Sequence, residues 1–345
     1  MKKRKAMSAL LATVLAVAGT SAALAEESTV TVEPTFSYGS YTQPLLTVEN
    51  SETILALQQE SEQKGTVVTL DYTAPAYGVN ALLGEDLTID KTVSVYLPYG
   101  YDESKQYDVL YLLHGTGGDN EYWLTKEKTG VPTVNVVDNM IAQGLCEPLI
   151  IVCPDWNAEL GKKHRPTDEQ ITAWAEANND PYPSSRNDVW VCYFVEELRN
   201  DIMPLVESTY STYAAKDVSE ESLTASREHR AIAGLSRGSM AVARAGLISS
   251  RDRFAWFGCY SGIWSDVEQF VAAQNDAYPV RFWYNGNGTA DFSYENHITF
   301  LNEVMAAQPD TWVDGENFAL VVKEGSEHSY ENWLTDLYNT LILFF

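Results

Sequence analysis

The run His229-Arg-Ala-Ile-Ala-Gly-Leu-Ser-Arg-Gly-Ser239 constrains this chain more than any other stretch. A short apolar segment, Ala231 to Gly234, leads straight into Gly234-Leu235-Ser236-Arg237-Gly238, and helix-forming residues from Met240 to Ile248 follow at once. A G-x-S-x-G match between a strand and a helix is a nucleophile elbow. The turn is so tight that the flanking positions have little room for side chains, and the serine is held in strained backbone geometry with its hydroxyl presented outward. The helix N-terminus and the backbone N–H of Arg237 then face any oxyanion formed when Ser236 attacks a carbonyl. With 21 Gly among 345 residues the pentapeptide also arises by composition alone. The weight therefore falls on its context and on the partners a nucleophilic serine needs.

A general base should follow the serine in the chain and leave the last strand. Of the five histidines, His328 does so, in Gly325-Ser-Glu-His-Ser-Tyr330 after a strand at Phe318 to Val322. His297 falls inside a helix and reads as a surface or packing residue, and His229 precedes the elbow strand at the wrong end. The orienting acid is expected at Asp291, after a strand at Val280 to Tyr284 and a glycine-rich turn, Asn285-Gly-Asn-Gly-Thr-Ala-Asp291. A carboxylate there fixes the imidazole tautomer and stabilises the imidazolium. The competing reading is that Asp291 only caps the helix beginning near Ser293. Asp266, Asp310 and Asp314 are the reserve acids. The second oxyanion donor is expected from His114-Gly-Thr-Gly-Gly118, after the strand ending at Leu113, with the Thr116 N–H as candidate. A phosphate cradle is disfavoured because no Lys-Ser/Thr follows, and His114 reads as structural.

Elsewhere the pattern alternates. Strands are expected at Thr66 to Tyr72, Thr92 to Leu97, Val109 to Leu113, Leu149 to Val152 and Trp256 to Tyr260, besides those named. Helices are expected near Thr53 to Gln63, Val134 to Gln143, Val189 to Ser208 with a break near Pro204, Val267 to Ala273, Tyr294 to Ala307, and from about Tyr330 to the terminus. Short, doubly apolar strands alternating with amphipathic helices predict an α/β fold with a mostly parallel central sheet covered on both faces. Sites in such sheets lie at the carboxyl ends of the strands.

The chain opens with Met1-Lys-Lys-Arg-Lys5, an apolar run from Ala6 to Ala18, and Ala23-Leu-Ala25 before Glu26. This reads as a secretory signal peptide over 1–25, cleaved after Ala25. Cleavage removes four cations and no acid, so the formal charge of −25 becomes −29. Such an acidic surface argues against nucleic acid or an anionic membrane as partner. Residues 26–65 form a polar N-terminal extension, and 66–345 suffice for one large catalytic domain. Four cysteines in this length are no disulfide scaffold. Cys146 and Cys153 flank an extended segment, roughly 20 Å apart at about 3.3 Å per residue and too far to bridge. No C-x-x-C or His cluster suggests a metal.

The stretch Val93 to Gly118, VSVYLPYGYDESKQYDVLYLLHGTGG, with AIAGLSRGSMA, FGCYSGIW and GSEHSYENW, resembles the esterase D type of α/β-hydrolase, the feruloyl and acetylxylan esterases of carbohydrate esterase family one. The likeness covers about residues 66 to 345. It implies a triad on Ser236, Asp291 and His328, with Trp333 completing G-x-H-x-x-x-x-W and expected to contact substrate, and an ester carried on plant polysaccharide or oligosaccharide as substrate. No cofactor is implied. Two departures, Arg237 where an apolar residue is frequent and Ser239 for a second glycine, bear on substrate preference. Between Asp155 and Asp188 lies a long polar loop with a helix after Thr167. Trp156, Trp174, Tyr182 and Trp190 in or beside it either stack on a substrate ring or pack the loop onto the domain. The expectation is a secreted serine esterase. An acyltransferase or small-ester esterase of the same fold, and a catalytically silent polysaccharide-binding relative, are the alternatives; a cytoplasmic formyl-glutathione hydrolase is disfavoured by the export signal.

Overall fold

A computed structural model of the protein describes residues 32–125, 133–180 and 183–345. Residues 1–25, expected as a signal peptide, and Tyr182 lie outside the described residues. Eight strands form one sheet in the order β1-β2-β4-β3-β5-β6-β7-β8. They are β1 Thr66–Pro75, β2 Thr88–Leu97, β3 Asp108–Leu113, β4 Leu149–Cys153, β5 Arg230–Leu235, β6 Trp256–Tyr260, β7 Phe282–Gly288 and β8 Phe318–Lys323. β1 pairs antiparallel with β2 and β2 antiparallel with β4, while every pair from β4 to β8 is parallel.

Helix-covered parallel strands must be apolar on both faces, and the residues of β3 show how this is met. Val109, Tyr111 and Leu113 enter one buried cluster with Val189, Phe194 and Ile232, whereas Leu110 and Leu112 enter a second with Val136, Ala233 and Leu334. The period-two alternation thus feeds two cores, one on each side of the sheet. Chain order reverses at β3: β4 lies on one side of it and β5 on the other. The helices that follow β3 and β5 enter opposite cores, with Val136 in one and Ala241 in the other, the arrangement that places a crevice at the carboxyl ends of such strands.

Several elements depart from the expected boundaries. β7 starts at Phe282 and runs through Asn285-Gly-Asn-Gly288, so the glycine-rich stretch is strand, not turn. A Cβ on Gly286 would sit 1.9 Å from Asp336 Oδ1 and one on Gly288 2.0 Å from the Ser326 carbonyl oxygen, so these glycines answer close approach from the following elements. The long helix runs from Arg186 with a π-helical turn at Leu198–Ile202 and resumes at Met203–Thr209. The widened turn falls just ahead of Pro204, whose ring crowds the carbonyl one turn back and has no N–H to give. The first helix covers only Glu52–Leu57, and Tyr77–Leu83, not expected as a helix, is one.

Residues 32–65 lie on the domain. Phe36 packs edge-on against Phe318, Asn339 exchanges hydrogen bonds with the Leu46 backbone, and Ile54 and Leu57 are buried in the second core. All four cysteines are free. Among the described residues, no helix is long and apolar enough to cross a membrane.

Candidate active site

Ser236 leaves β5 with φ 53° and ψ −121°, a backbone region that costs a non-glycine residue of order 1–3 kcal/mol. The neighbours hold it there. Its N–H donates to the Tyr260 carbonyl at 2.9 Å, and the turn packs so tightly that a Cβ on Gly238 would meet the His114 carbonyl oxygen at 2.3 Å. The same contact brings the loop after β3 against the elbow.

His328 Nε2 lies 3.1 Å from Ser236 Oγ. Its Nδ1 lies 3.0 and 2.9 Å from the two carboxylate oxygens of Asp291. A carboxylate only accepts, so Nδ1 carries the proton and Nε2 is left to accept from the serine hydroxyl. Asp291 Oδ1 also accepts from the Ser293 N–H at 2.8 Å and from Ser293 Oγ at 2.7 Å. The capping bond and the bond to histidine therefore coexist on one carboxylate. Burial works against its ionisation, but the hydrogen bonds from His328 and Ser293 outweigh burial and hold its pKa below the usual carboxylate value.

The imidazole is walled on two sides. Trp333 presents an edge at 4.8 Å between ring centroids, fixed by its N–H to Ser261 Oγ at 2.6 Å. Phe292, beside the acid, lies at 4.3 Å with its ring tilted 40° and is 79 % exposed. Trp264, on the loop after β6, is 42 % exposed. Sequence reading singled out neither of these exposed aromatics. Their position just past strand ends was the available signal.

Thr116 is exposed on the loop after β3, and the Arg237 guanidinium donates to its hydroxyl at 2.9 Å. A polar cleft of about 580 Å³ opens beside Thr116, lined also by Lys91, Asn120, Asn157 and Arg186. Trp156 is buried, donates to the His114 carbonyl at 2.7 Å and stacks on the His114 ring. The fold thus places Trp156 in the core and not at a ligand surface. Trp190 is likewise buried, while Trp174 is half-buried with its N–H bonded to the Tyr193 hydroxyl at 2.9 Å. Ser239 is fully buried under the elbow and faces no substrate. Of the reserve acids, Asp266 caps the helix Val267–Ala272 and Asp314 accepts from the Ser40 N–H. His297 is buried between Asn285 and Asn287, and His229 stacks on Tyr213 and bonds Asp108. Among the described residues no group of His, Cys, Asp and Glu is arranged to hold a metal.

The family model described as Esterase matches residues 84–341. Endo-1,4-beta-xylanase Y of Acetivibrio thermocellus is 29 % identical over 299 residues, spanning 82 % of this chain and 23 % of that protein. The endo-1,4-beta-xylanase/feruloyl esterase of Xylanibacter ruminicola is 26 % identical over 250 residues, spanning 70 % and 28 %. The chain thus spans about a quarter of the length of these curated relatives. Among solved structures, a serine-to-alanine mutant of the feruloyl esterase module from Clostridium thermocellum, complexed with sinapinate, superposes with TM-score 0.67 at 26 % identity, covering 90 % of this chain and 96 % of the module. The ferulic acid esterase of Anaeromyces mucronatus shares the fold, with TM-score 0.63 at 18 % identity over 87 % and 97 %. The sheet is that of the α/β-hydrolases, and since the matched region takes in well over half of the chain, this protein belongs to the Esterase family.

Proposed function

We propose that this protein is a secreted serine esterase that removes hydroxycinnamoyl groups such as ferulate from plant cell-wall polysaccharide of the xylan type. Ser236 attacks the ester carbonyl. His328 takes the hydroxyl proton through Nε2 and returns it to the leaving sugar alcohol, and water then releases the acid from the acyl-enzyme by the same route in reverse. Asp291, ionised and hydrogen-bonded to Nδ1, orients the ring and balances its charge. The backbone N–H groups of Arg237 and Thr116 hold the tetrahedral oxygen.

The observation that carries this reading is the continuous relay from Ser236 Oγ through His328 to Asp291, at 3.1 and 2.9 Å. Preference for an aromatic acyl group over acetate is supported by two facts. Trp264 and Phe292 stand exposed past the ends of β6 and β7, and a solved structure of similar length is a feruloyl esterase module complexed with sinapinate. Export is supported by the basic, apolar and Ala-Leu-Ala sequence of residues 1–25. The deciding experiment compares release of acid from methyl ferulate and from acetylated xylan by the wild type and by Ser236→Ala. Methyl ferulate turnover that falls by about 10⁴-fold or more in the variant is expected. Equal rates for the two proteins would remove the serine from the chemistry, and turnover of acetylated xylan alone would overturn the aromatic preference.

A further inference from the structure

The residue after the nucleophile is a cation whose side chain is bonded to two other segments of the chain. Arg237 Nε and Nη2 both approach Asp188 Oδ1 at 2.9 Å, and Nη1 donates to Thr116 Oγ1 at 2.9 Å. Asp188 is fully buried, and its other oxygen accepts from the Ser184 N–H at 3.0 Å, Ser184 Oγ at 3.1 Å and Ser185 Oγ at 2.9 Å. The carboxylate is thus fixed at the start of the long helix, the guanidinium is fixed by the carboxylate, and one of its donors reaches the loop after β3.

That loop needs such a tether. Thr116 is exposed between Gly115 and Gly117, and Gly117 has φ +79°, so the segment carries the conformational freedom of glycine with no buried side chain at its tip. An oxyanion donor is effective only when its N–H is aimed in advance at where the charge develops. We propose that Arg237 is a positioning residue for the oxyanion hole. By bonding the Thr116 hydroxyl while clamped to Asp188, it holds the Thr116 backbone N–H at a fixed distance from Ser236. This rests on the nucleophile and oxyanion roles assigned above.

Such a role predicts a particular kinetic signature. The oxyanion forms in the transition state, so loosening the loop lowers kcat and leaves ground-state binding, and hence KM, nearly as it was. The test measures kcat, KM and melting temperature for Arg237→Met, Arg237→Lys, Thr116→Val and the double variant Arg237→Met/Thr116→Val on methyl ferulate, with Ser236→Ala alongside. Arg237→Met and Thr116→Val are each expected to lose about 10- to 100-fold in kcat, the scale of a misplaced catalytic group, with KM within about 3-fold. Arg237→Lys should recover part of the loss, and the double variant should be no slower than the slower single, since both cut one tether. Thr116→Val keeps the Arg237–Asp188 pair and stays interpretable if Arg237→Met, which strands a buried carboxylate, fails to fold. Wild-type kcat in Thr116→Val, multiplying losses in the double variant, or a rise in KM at constant kcat would each overturn the proposal while an inactive Ser236→Ala left the nucleophile in place. A fully active Ser236→Ala would overturn both.

Discussion

At the scale of single residues, the site is organised by Asp291, which does two tasks with one carboxylate. It accepts from Ser293 at the head of a helix and from His328 across the loop after β8. Asp291→Asn replaces an acceptor by an amide that can donate to Nδ1, so the tautomer inverts and Nε2 no longer accepts from Ser236. A fall in kcat of about 10³- to 10⁴-fold with the fold intact is expected; steady-state kinetics with circular dichroism checks it, and a loss under 10-fold would contradict the orienting role. Phe292 presents a different kind of contribution. An exposed ring against the imidazole offers an apolar face to the aromatic acyl group proposed above. Phe292→Ala is expected to raise KM for methyl ferulate by about 2- to 10-fold, the scale of an aromatic contact, while KM for a small acetate ester changes less. Ser236, His328 and Asp291 were each legible in the sequence, because a triad on this fold follows chain order and strand ends. Thr116 and Arg237 are expected from the sequence as backbone donors, but the bond between their side chains was not legible there. Nothing in the order of residues announces Asp188 as the anchor of Arg237, since the two meet only after the long helix docks.

At the scale of elements, β7 shows why composition misleads. Asn285-Gly-Asn-Gly288 has the residues of a turn, yet it is a buried strand. Its asparagines bond the buried His297, and its glycines admit the Asp336 carboxylate and the Ser326 backbone. Gly286→Ala is expected to destabilise the protein by several kcal/mol, because the added methyl overlaps a carboxylate that is itself locked to Lys323 and Tyr284. Chemical denaturation reads this out, and a midpoint within error of wild type would show that Asp336 yields freely. The helix Tyr77–Leu83 was hidden for the opposite reason. It is short, contains Gly78 and ends at a left-handed Gly84, so local propensity is weak, and packing of its buried residues against Trp190 supplies what propensity does not. By contrast β3, β5 and β6 were legible almost to the residue, since an unbroken apolar run of five or six residues has few other ways to be buried.

At the scale of the whole molecule, the strand order places β3 and β5 side by side although residues 114–229 separate them, and this adjacency brings the glycine loop to the elbow. Two cores flank the sheet, and buried polar groups are tied into them. His297 is one. Burial pushes its pKa down to about 3, so it is neutral in the fold, while an unfolded histidine titrates near 6.5. Its contribution to stability is therefore complete above about pH 6.5 and is lost as pH falls toward 3. Over that window unfolding takes up about one extra proton, equivalent to about 1.4 kcal/mol per pH unit. Asp291, also depressed, adds loss of the same sign at the acid end. Melting temperatures from pH 7 to 4 should fall more steeply for the wild type than for His297→Gln, and parallel curves would mean that the imidazole is not the group responsible. What the sequence by itself determined was the alternation of strand and helix, the strained serine turn, and the identity and order of the three residues around it, because these follow from local apolar periodicity and from motifs a few residues long. Tertiary structure alone decided that the tryptophans beside the 155–188 loop split between core and half-buried surface, that a polar glycine-rich stretch is a strand, and that Arg237 reaches Thr116. Those outcomes depend on which surfaces of distant segments meet, and a residue's neighbours in space are set by the packing of the whole sheet, not by its neighbours along the chain.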